Sequence, residues 1–304
     1  MPLQPCPEDA QAWIHTDPHS GDALRVVPSR GGLVTGWRCG GQEILYFDAA
    51  RFADPALSVR GGIPVLFPIC GNLPGDRLEL PQGTFRLPQH GFARDLPWTL
   101  AELEPDAAAT ATGVAPAAGA AGHGGIRLTL ADSEASRACF PFAFRLELIF
   151  RLEPAALAIE ARLSNRGEAG SPPLPFSLGL HPYWAVSDPA AVRLEGLPPR
   201  CLDHRTMAEA DTAAQLDRLA DGVDLLCRTA GPVRLLDPGF GRRLILELSP
   251  PLDRVVIWSD PPRPMVCLEP WSGPRAALVS GDGRLEVSPG ASQTLACRYR
   301  IEPL

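Results

Sequence analysis

The 304-residue chain has a net charge of −7 and contains 34 prolines and 29 glycines. The chain contains arginine but no lysine, which excludes Schiff-base chemistry and a Walker-type phosphate loop. The chain has no basic run, so it shows no electrostatic footprint for nucleic acid or an anionic membrane. The many turn-forming residues favour strands over long helices.

The N-terminal segment MPLQPCPEDA lacks the basic start and apolar core of a signal peptide. No apolar run approaches the length of a membrane span. Eight cysteines occur without a C-x-x-C pair, which favours small buried hydrophobic residues over disulfides or zinc ligands. We therefore expect a reduced, cytoplasmic protein that contacts neither membrane nor nucleic acid and is a monomer or a weak dimer.

The chain begins with short strands. Between Leu24 and Tyr46, apolar segments are separated by the tripeptides RGG and CGG, which predicts strands joined by tight glycine turns. These glycines do not match G-x-G-x-x-G, and no helical pattern follows them. A dinucleotide-binding fold is therefore not indicated.

The stretch from Ser58 to Trp98 organises the rest of the chain. It places Arg60, His90 and Arg94 among prolines and glycines, which fix the backbone instead of filling a helix. Loops stiffened by proline hold side chains at low entropic cost, and two guanidinium groups close together suit an anion such as a phosphoryl group. The alternative is that the two arginines are ordinary surface residues.

A low-complexity segment follows at residues 105–125 and predicts a surface loop or insertion. The clearest strand signal comes next, in the segments FRLELIFRL and LAIEARLS. Both alternate with a period of two, which predicts an antiparallel hairpin with one solvated face and a turn at residues 153–156. The expected core residues are Phe144, Leu146, Leu148, Phe150, Leu152, Leu157, Ile159, Ala161 and Leu163.

Residues 206–221 predict a short helix with Met207, Leu216 and Leu219 on its apolar side, and short strands resume beyond it. About a dozen or more short strands with proline and glycine turns indicate an all-β protein, a large antiparallel β-sandwich. A β-sandwich of this length can be one unit, so we expect a single domain over residues 1–304.

Two further residues have the chemistry of a site. His181 follows an apolar segment and precedes Tyr183 and Trp184, and aromatic rings beside a titratable group are typical of carbohydrate pockets. Glu269 ends the apolar segment MVCL, where an unpaired charge is costly to bury. The alternatives are a structural histidine and a glutamate exposed at a sheet edge.

Metal and serine-hydrolase motifs are not found. His15 and His19 have helical spacing, but an Asp-Pro pair between them breaks the helix that would bring them together. The chain has no H-x-H pair and no G-x-S-x-G sequence. The sequence therefore indicates neither a metal site nor a serine nucleophile.

The motif RGGIP with a following FP, and then LPQHGFAR, resembles the aldose 1-epimerase (mutarotase) superfamily and, within it, the hexose-6-phosphate mutarotase branch. The resemblance continues through FSLGLHPYW, VDLLCRT and MVCLEPWSGP and covers nearly the whole chain. It implies a galactose mutarotase-like β-sandwich, also called a supersandwich, that uses no cofactor. The small-molecule partner it implies is a sugar or a sugar phosphate.

The resemblance also implies roles for individual residues. His181 matches the family's general acid and Glu269 its general base, so that ring opening, rotation at C1 and ring closure would invert the anomer. Because the two groups need opposite protonation states, we expect them to pair and to stabilise each other's charge.

The resemblance also implies which residues contact the substrate. Arg60 and Arg94 match the arginines that hold phosphate, His90 matches a substrate-binding histidine, and Asp224 matches an aspartate that contacts sugar hydroxyls, with Asp203 as an alternative. Residues 71–87 and the Glu-Pro-Trp sequence with Arg275 after it depart from the pattern of the phosphate branch. A free aldose as substrate, or a non-catalytic sugar-binding protein, therefore remains an alternative.

Overall fold

The structure is a computed structural model that describes residues 3–103 and 124–304. The low-complexity segment predicted as a surface loop lies outside the described residues except for its last two glycines. Gly125 begins a strand.

The described chain consists mainly of short strands. The first are β1 (Leu3–Cys6), β2 (Asp9–Thr16), β3 (Ala23–Val27), β4 (Leu33–Cys39), β5 (Gln42–Glu43), β6 (Val65–Leu66), β7 (Arg77–Leu80), β8 (Gly83–Arg86), β9 (Thr99–Leu103), β10 (Gly125–Ala131), β11 (Phe144–Glu153), β12 (Ala156–Asn165) and β13 (Leu174–Phe176). They are followed by β14 (Gly179–Leu180), β15 (Tyr183–Ala185), β16 (Arg193–Glu195), β17 (Arg200–Asp203), β18 (Ala208–Asp211), β19 (Asp224–Arg228), β20 (Val233–Asp237), β21 (Arg242–Leu248), β22 (Arg254–Trp258), β23 (Met265–Trp271), β24 (Leu285–Val287) and β25 (Ser292–Pro303). Short helices are α1 (Ala49–Phe52), α2 (Glu134–Cys139), α3 (Thr212–Leu216) and α4 (Ala277–Ser280), with 3-10 turns at Pro74–Asp76, Ala93–Asp95 and Leu219–Asp221.

The strands form three main sheets. An N-terminal sheet has the order β1-β2-β3-β4-β5, and an outer sheet has the order β16-β20-β21-β25-β12-β11-β10-β9. A third sheet, called the site sheet below, has the order β18-β17-β19-β22-β23-β14-β6, with β15 also paired to β23. The pairings of these named strands are antiparallel, as the sequence predicted.

The predicted hairpin is confirmed as β11 and β12, which pair over their whole length. Every core residue predicted in it is at most 4 % exposed. The opposite face is less open to solvent than predicted, because charged side chains cover one another there. Arg298 of β25 is buried and its Nε lies 3.0 Å from Glu153.

The predicted helix at residues 206–221 is only partly correct. Residues 206 and 207 lie in a turn before strand β18, a single helical turn covers Thr212–Leu216, and a 3-10 turn follows at Leu219–Asp221. Leu219 is buried as expected, but Met207 lies in a turn and is 56 % exposed. The segment is rich in alanine and acidic residues, so it has no apolar stripe wide enough to pack a longer helix against the core.

The outer sheet and the site sheet pack together as a sandwich. The hydroxyl of Tyr299 on β25 donates a hydrogen bond to the carbonyl of Leu268 on β23 at 2.8 Å. Its ring packs on Trp184 of β15, with ring centroids 4.4 Å apart. One hydrophobic cluster runs from β3 to β25, which favours the prediction of a single domain.

Two further expectations concern cysteines and membranes. The eight cysteines are free, and seven of them are buried. Within residues 3–103 and 124–304, no helix has the length and apolar character needed to cross a bilayer.

Candidate active site

A cavity of about 550 Å³ opens on one face of the site sheet. Because successive side chains of a strand point to opposite faces, Asp224, Trp258 and Glu269 share the cavity face across three neighbouring strands. Ile257 and Leu268 point the other way and enter the main core. The cavity is lined by all six site residues that the sequence singled out, namely Arg60, His90, Arg94, His181, Asp224 and Glu269.

His181 and Glu269 face each other inside this cavity, with Nε2 of His181 3.4 Å from Oε1 of Glu269. Glu269 lies in the middle of β23, between β22 and β14, and is 1 % exposed, so it is not an edge glutamate. Its other oxygen accepts a hydrogen bond from the indole N–H of Trp271 at 3.1 Å. His181 follows β14, and its backbone N–H donates to the carbonyl of Pro64 at 2.9 Å.

Burial controls the charges of this pair. It lowers the pKa of His181 to about 3, and the nearby positive charges of Arg94 and Arg60 act in the same direction. Burial also raises the pKa of Glu269 well above its usual range, and the negative charge of Asp224 adds to this effect. The neutral forms of both groups are therefore favoured. This differs from the oppositely charged pair that we expected, because removal from water opposes both charges.

His90 adopts the left-handed backbone conformation, with φ of 68°, and its side chain lines the cavity. Its ring stands edge-on to His181 and to Trp271, with centroid distances of 6.0 and 5.8 Å. Burial and the charge of a protonated His181 lower the pKa of His90 well below its usual value. His90 is therefore a neutral polar group in the cavity wall.

Arg60 and Arg94 line the same cavity, and each keeps part of its guanidinium group unpaired. Nε of Arg60 donates to Asp260 at 3.0 Å and Nη1 to Ser58 at 3.1 Å, while Nη2 of Arg94 donates to the carbonyl of Gln89 at 3.0 Å. Within the described parts of the chain, Nη2 of Arg60 and Nη1 of Arg94 have no hydrogen-bond partner. These nitrogens can donate to a bound anion.

Asp224, at the start of β19, lines the cavity, whereas the alternative Asp203 does not. Asp203 is 5 % exposed and accepts a hydrogen bond from the backbone N–H of Arg205. The carboxylate of Asp224 is held on both sides, by Nδ1 of His204 at 2.7 Å and by Nη2 of Arg275 at 2.9 Å.

Aromatic rings form part of the cavity wall. Tyr183 stacks on His181 at 4.8 Å, and Trp258 and Trp271 also line the cavity. The expectation that both aromatic residues after His181 would serve the pocket is wrong for Trp184, which is 1 % exposed and lies in the core. Neighbouring residues of a strand point to opposite faces, so only one could do so. The same alternation, counted from Glu269, would have predicted Trp271.

Two arginines of the cavity were not predicted as site residues. Arg30 belongs to the RGG tripeptide, a pattern that predicts only a turn. Its guanidinium group donates to the carbonyls of Phe52, Asp54 and Leu57, so it holds the rim segment after α1. Arg275 belongs to a segment that departs from the pattern of the phosphate branch.

One group of donor atoms in the described residues resembles a metal site by distance. His181, Cys267 and Glu269 each bring a donor atom within 4.8 Å of the others. Cys267 does not line the cavity, and one oxygen of Glu269 already accepts a hydrogen bond from Trp271, so three free ligands do not face the cavity together. The group therefore fits proton transfer better than metal binding.

Comparisons with known proteins identify the family of this chain. The family model described as Aldose 1-epimerase matches residues 19–300. The Slr1438 protein of Synechocystis sp. PCC 6803 superposes with a TM-score of 0.86 at 35 % identity, over 100 % of this chain and 98 % of that one. A galactose mutarotase-like protein from Clostridium acetobutylicum has a TM-score of 0.75 at 16 % identity, over 96 % of this chain and 95 % of that one, and supports the fold.

A curated protein of Cenchrus ciliaris, provisionally named glucose-6-phosphate 1-epimerase, is 31 % identical over 169 residues, which are 55 % of this chain and 45 % of that protein. The chain spans about half the length of the curated relatives it matches.

Fold and cavity together define a β-sandwich of the galactose mutarotase type. The chain belongs to the aldose 1-epimerase family. The predicted fold and family are thereby confirmed.

Proposed function

We propose that this protein interconverts the α and β anomers of an aldose, and that the aldose is a hexose 6-phosphate. The observation that carries the proposal is the 3.4 Å approach of His181 to Glu269 inside a cavity walled by aromatic rings. A proton donor and a proton acceptor at this distance can act on two oxygens attached to the same carbon.

In the ring-opening step, Glu269 takes the proton of the C1 hydroxyl while His181 gives a proton to the ring oxygen. The bond between C1 and the ring oxygen breaks, its electron pair stays on the oxygen, and C1 becomes an aldehyde. Rotation about the bond from C1 to C2 presents the other face. Closure reverses both proton transfers, so each group serves as acid in one direction and base in the other.

The protonation states of the pair fit this cycle. Ring opening leaves Glu269 protonated and His181 neutral, which is the form that burial favours. The form that starts ring opening differs only by one proton moved between the two side chains. Their separation of 3.4 Å allows that transfer after a small closing movement.

The phosphate preference rests on the unpaired guanidinium nitrogens of Arg60 and Arg94. Both groups face the cavity that contains the acid–base pair. Arginine binds phosphate oxygens through charge-assisted hydrogen bonds, and this chain has no lysine to do so. The names of the curated relatives support the same substrate class.

The test is anomer exchange of glucose 6-phosphate and of glucose, followed by magnetisation-transfer NMR. Arg60→Ala should raise KM for glucose 6-phosphate by about tenfold to a hundredfold, because hydrogen bonds to charged groups contribute about 1.5–3 kcal/mol. KM for glucose should change little. Removal of Arg60 does not strand Asp260, which keeps Arg263 at 2.8 Å.

Arg86→Ala is the matched control, since this arginine belongs to the same stretch but its side chain is 83 % exposed and does not line the cavity. Equal losses for glucose and glucose 6-phosphate in Arg60→Ala would favour a free aldose as substrate. Unchanged exchange in Glu269→Gln would favour a non-catalytic sugar-binding protein.

A further inference from the structure

Arg275 lines the cavity, and several contacts hold its side chain in place. Its Nη1 donates to Asn72 at 3.2 Å and its Nη2 to Asp224 at 2.9 Å. The next residue, Ala276, donates its backbone N–H to the carbonyl of Asn72 at 3.0 Å. Gly71 makes room for the arginine, because a Cβ there would lie 2.4 Å from Cγ of Arg275. The backbone at Gly71 and at Ala276 therefore leaves space for the Arg275 side chain and fixes its position.

The partner of Arg275 is fixed from the other side as well. Asp224 bonds to Nδ1 of His204, whose side chain is fully buried and stacks on Trp271 with ring centroids 5.9 Å apart. Trp271 in turn donates to the carboxyl group of Glu269. A chain of contacts therefore runs from Arg275 to the acid–base pair.

We propose that Arg275 is a positioning residue of this active site, which orients the Asp224 carboxylate toward the sugar hydroxyls and balances its negative charge beside the acid–base pair. This inference rests on the proposed function. Each oxygen of Asp224 keeps a lone pair for a sugar hydroxyl after accepting its bond from His204 or Arg275.

Charged and titratable groups surround Glu269 on several sides. Asp224 raises the pKa of Glu269 and Arg275 lowers it. The other titratable groups that interact with Glu269 in the described residues are thiols, phenols and the imidazole of the pair, and burial keeps all of these neutral. They are His181, Cys70, Cys267, Tyr183 and Tyr299. Arg275 and Asp224 are therefore the charged neighbours of Glu269. On the other side of the pair, Arg60 and Arg94 lower the pKa of His181, and His90 stands beside it as a neutral group.

The experiment measures the pH dependence of kcat/KM for anomer exchange. Loss of a positive charge makes proton binding easier at both steps of a coupled pair, so Arg275→Ala should move both limbs of the profile to higher pH, by roughly one unit. The double variant Arg275→Ala with Asp224→Asn removes both charges. Its limbs should return close to those of the wild type.

Arg275→Lys separates charge from position. The lysine keeps the positive charge, so the limbs should stay in place, but a single ammonium group cannot hold Asn72 and Asp224 together. KM should therefore rise about tenfold. Calorimetry with 1,5-anhydroglucitol 6-phosphate, which has no anomeric hydroxyl, should show the same loss of binding without any reaction.

Arg284→Ala is the control, because that arginine pairs with Glu286 at 3.0 Å and its side chain is 41 % exposed, away from the cavity. It should change neither the limbs nor binding. If the limbs do not move in Arg275→Ala, or do not return in the double variant, the proposed role of Arg275 is wrong. The proposed function would not be affected by that result. A wild-type protein that accelerates no anomer exchange would instead overturn the proposed function.

Discussion

The backbone N–H of Gly71 donates a hydrogen bond to Nδ1 of His90, with a nitrogen–nitrogen distance of 3.1 Å. Nδ1 is therefore the acceptor of the neutral imidazole, and the proton must sit on Nε2. The backbone N–H of His90 returns a bond to the carbonyl of Gly71 at 2.6 Å. The two residues thus fix both the ring and its tautomer, so His90 presents a hydrogen-bond donor.

We predict that His90 binds the sugar through this donor. Asparagine tolerates the left-handed backbone and can accept the bond from Gly71, but it cannot reach as far as Nε2. His90→Asn should therefore fold normally and raise KM about tenfold, the effect of one lost hydrogen bond in a buried site. Nitrogen chemical shifts of the imidazole should show protonation at Nε2 alone across neutral pH. A ring protonated on Nδ1 would contradict the assignment.

The acid–base pair leads to a prediction about kinetics. His181→Gln and Glu269→Gln should each lower kcat by about 10²–10⁴-fold, the usual contribution of a positioned proton-transfer group. Because the two act as a unit, the double variant should lose little more than either single variant. Glu286→Gln, at an exposed ion pair, is the control and should be as active as the wild type. Fully additive losses would show that the groups act independently.

Alternation along strands was the part of the fold that the sequence predicted best. It placed the core residues of the β11–β12 hairpin correctly, because a period of two admits only one buried face. The same alternation separates Tyr183, which points to the cavity, from Trp184, which points to the core. The helix predicted at residues 206–221 is only partly correct because tertiary context outweighed a weak local preference.

For the site as well, the sequence predicted some features and missed others. Its six predicted residues came from motifs and meet in one cavity, but their protonation depends on burial, which no local pattern reveals. Arg275 and Asp224 are far apart in sequence and meet only through the order of strands in the site sheet. The choice between Asp224 and Asp203 likewise needed the cavity.

The shifted pKa values predict how stability depends on pH. The pKa of His181 falls from 6.5 to about 3 in the folded state, so its contribution is present above pH 6.5 and lost as the pH falls. The raised pKa of Glu269 acts oppositely, because its contribution is present below the unfolded value of 4.5 and lost as the pH rises. Between pH 4.5 and pH 6.5, the two contributions change with pH in opposite directions, so their slopes cancel in the wild type.

A variant that lacks one member of the pair should show the pH dependence of stability that the other member contributes. Between pH 5 and 6, Glu269→Gln should make stability rise more steeply with pH than in the wild type, by about 1.4 kcal/mol per unit. His181→Gln should change the slope by a similar amount in the opposite direction. Urea unfolding at several pH values measures both slopes, and His15 and His90, whose pKa values are also lowered, add equally to each. Slopes of the same sign relative to the wild type would contradict the assigned directions.

Gly31 packs closely against the backbone of Arg94, and this contact leads to a prediction about stability. Gly21 provides the matched control. Gly31 has φ of +74°, and a Cβ there would lie 2.1 Å from the carbonyl oxygen of Arg94. Gly21 has nearly the same φ, +75°, with nothing within 4 Å. Alanine at Gly21 should therefore cost only the strain of the left-handed backbone, about 1–2 kcal/mol.

Gly31→Ala should cost the same strain and, in addition, about 1–3 kcal/mol for the clash, because backbone atoms cannot move aside as a flexible side chain can. The clash pushes the segment that carries Arg94, so this variant should also raise KM for glucose 6-phosphate, whereas Gly21→Ala should leave KM unchanged. Urea denaturation measures the first effect and anomer exchange the second. If the two variants lose equal stability and bind substrate equally well, Gly31 does not support Arg94, and the contact would be accommodated by relaxation of the turn.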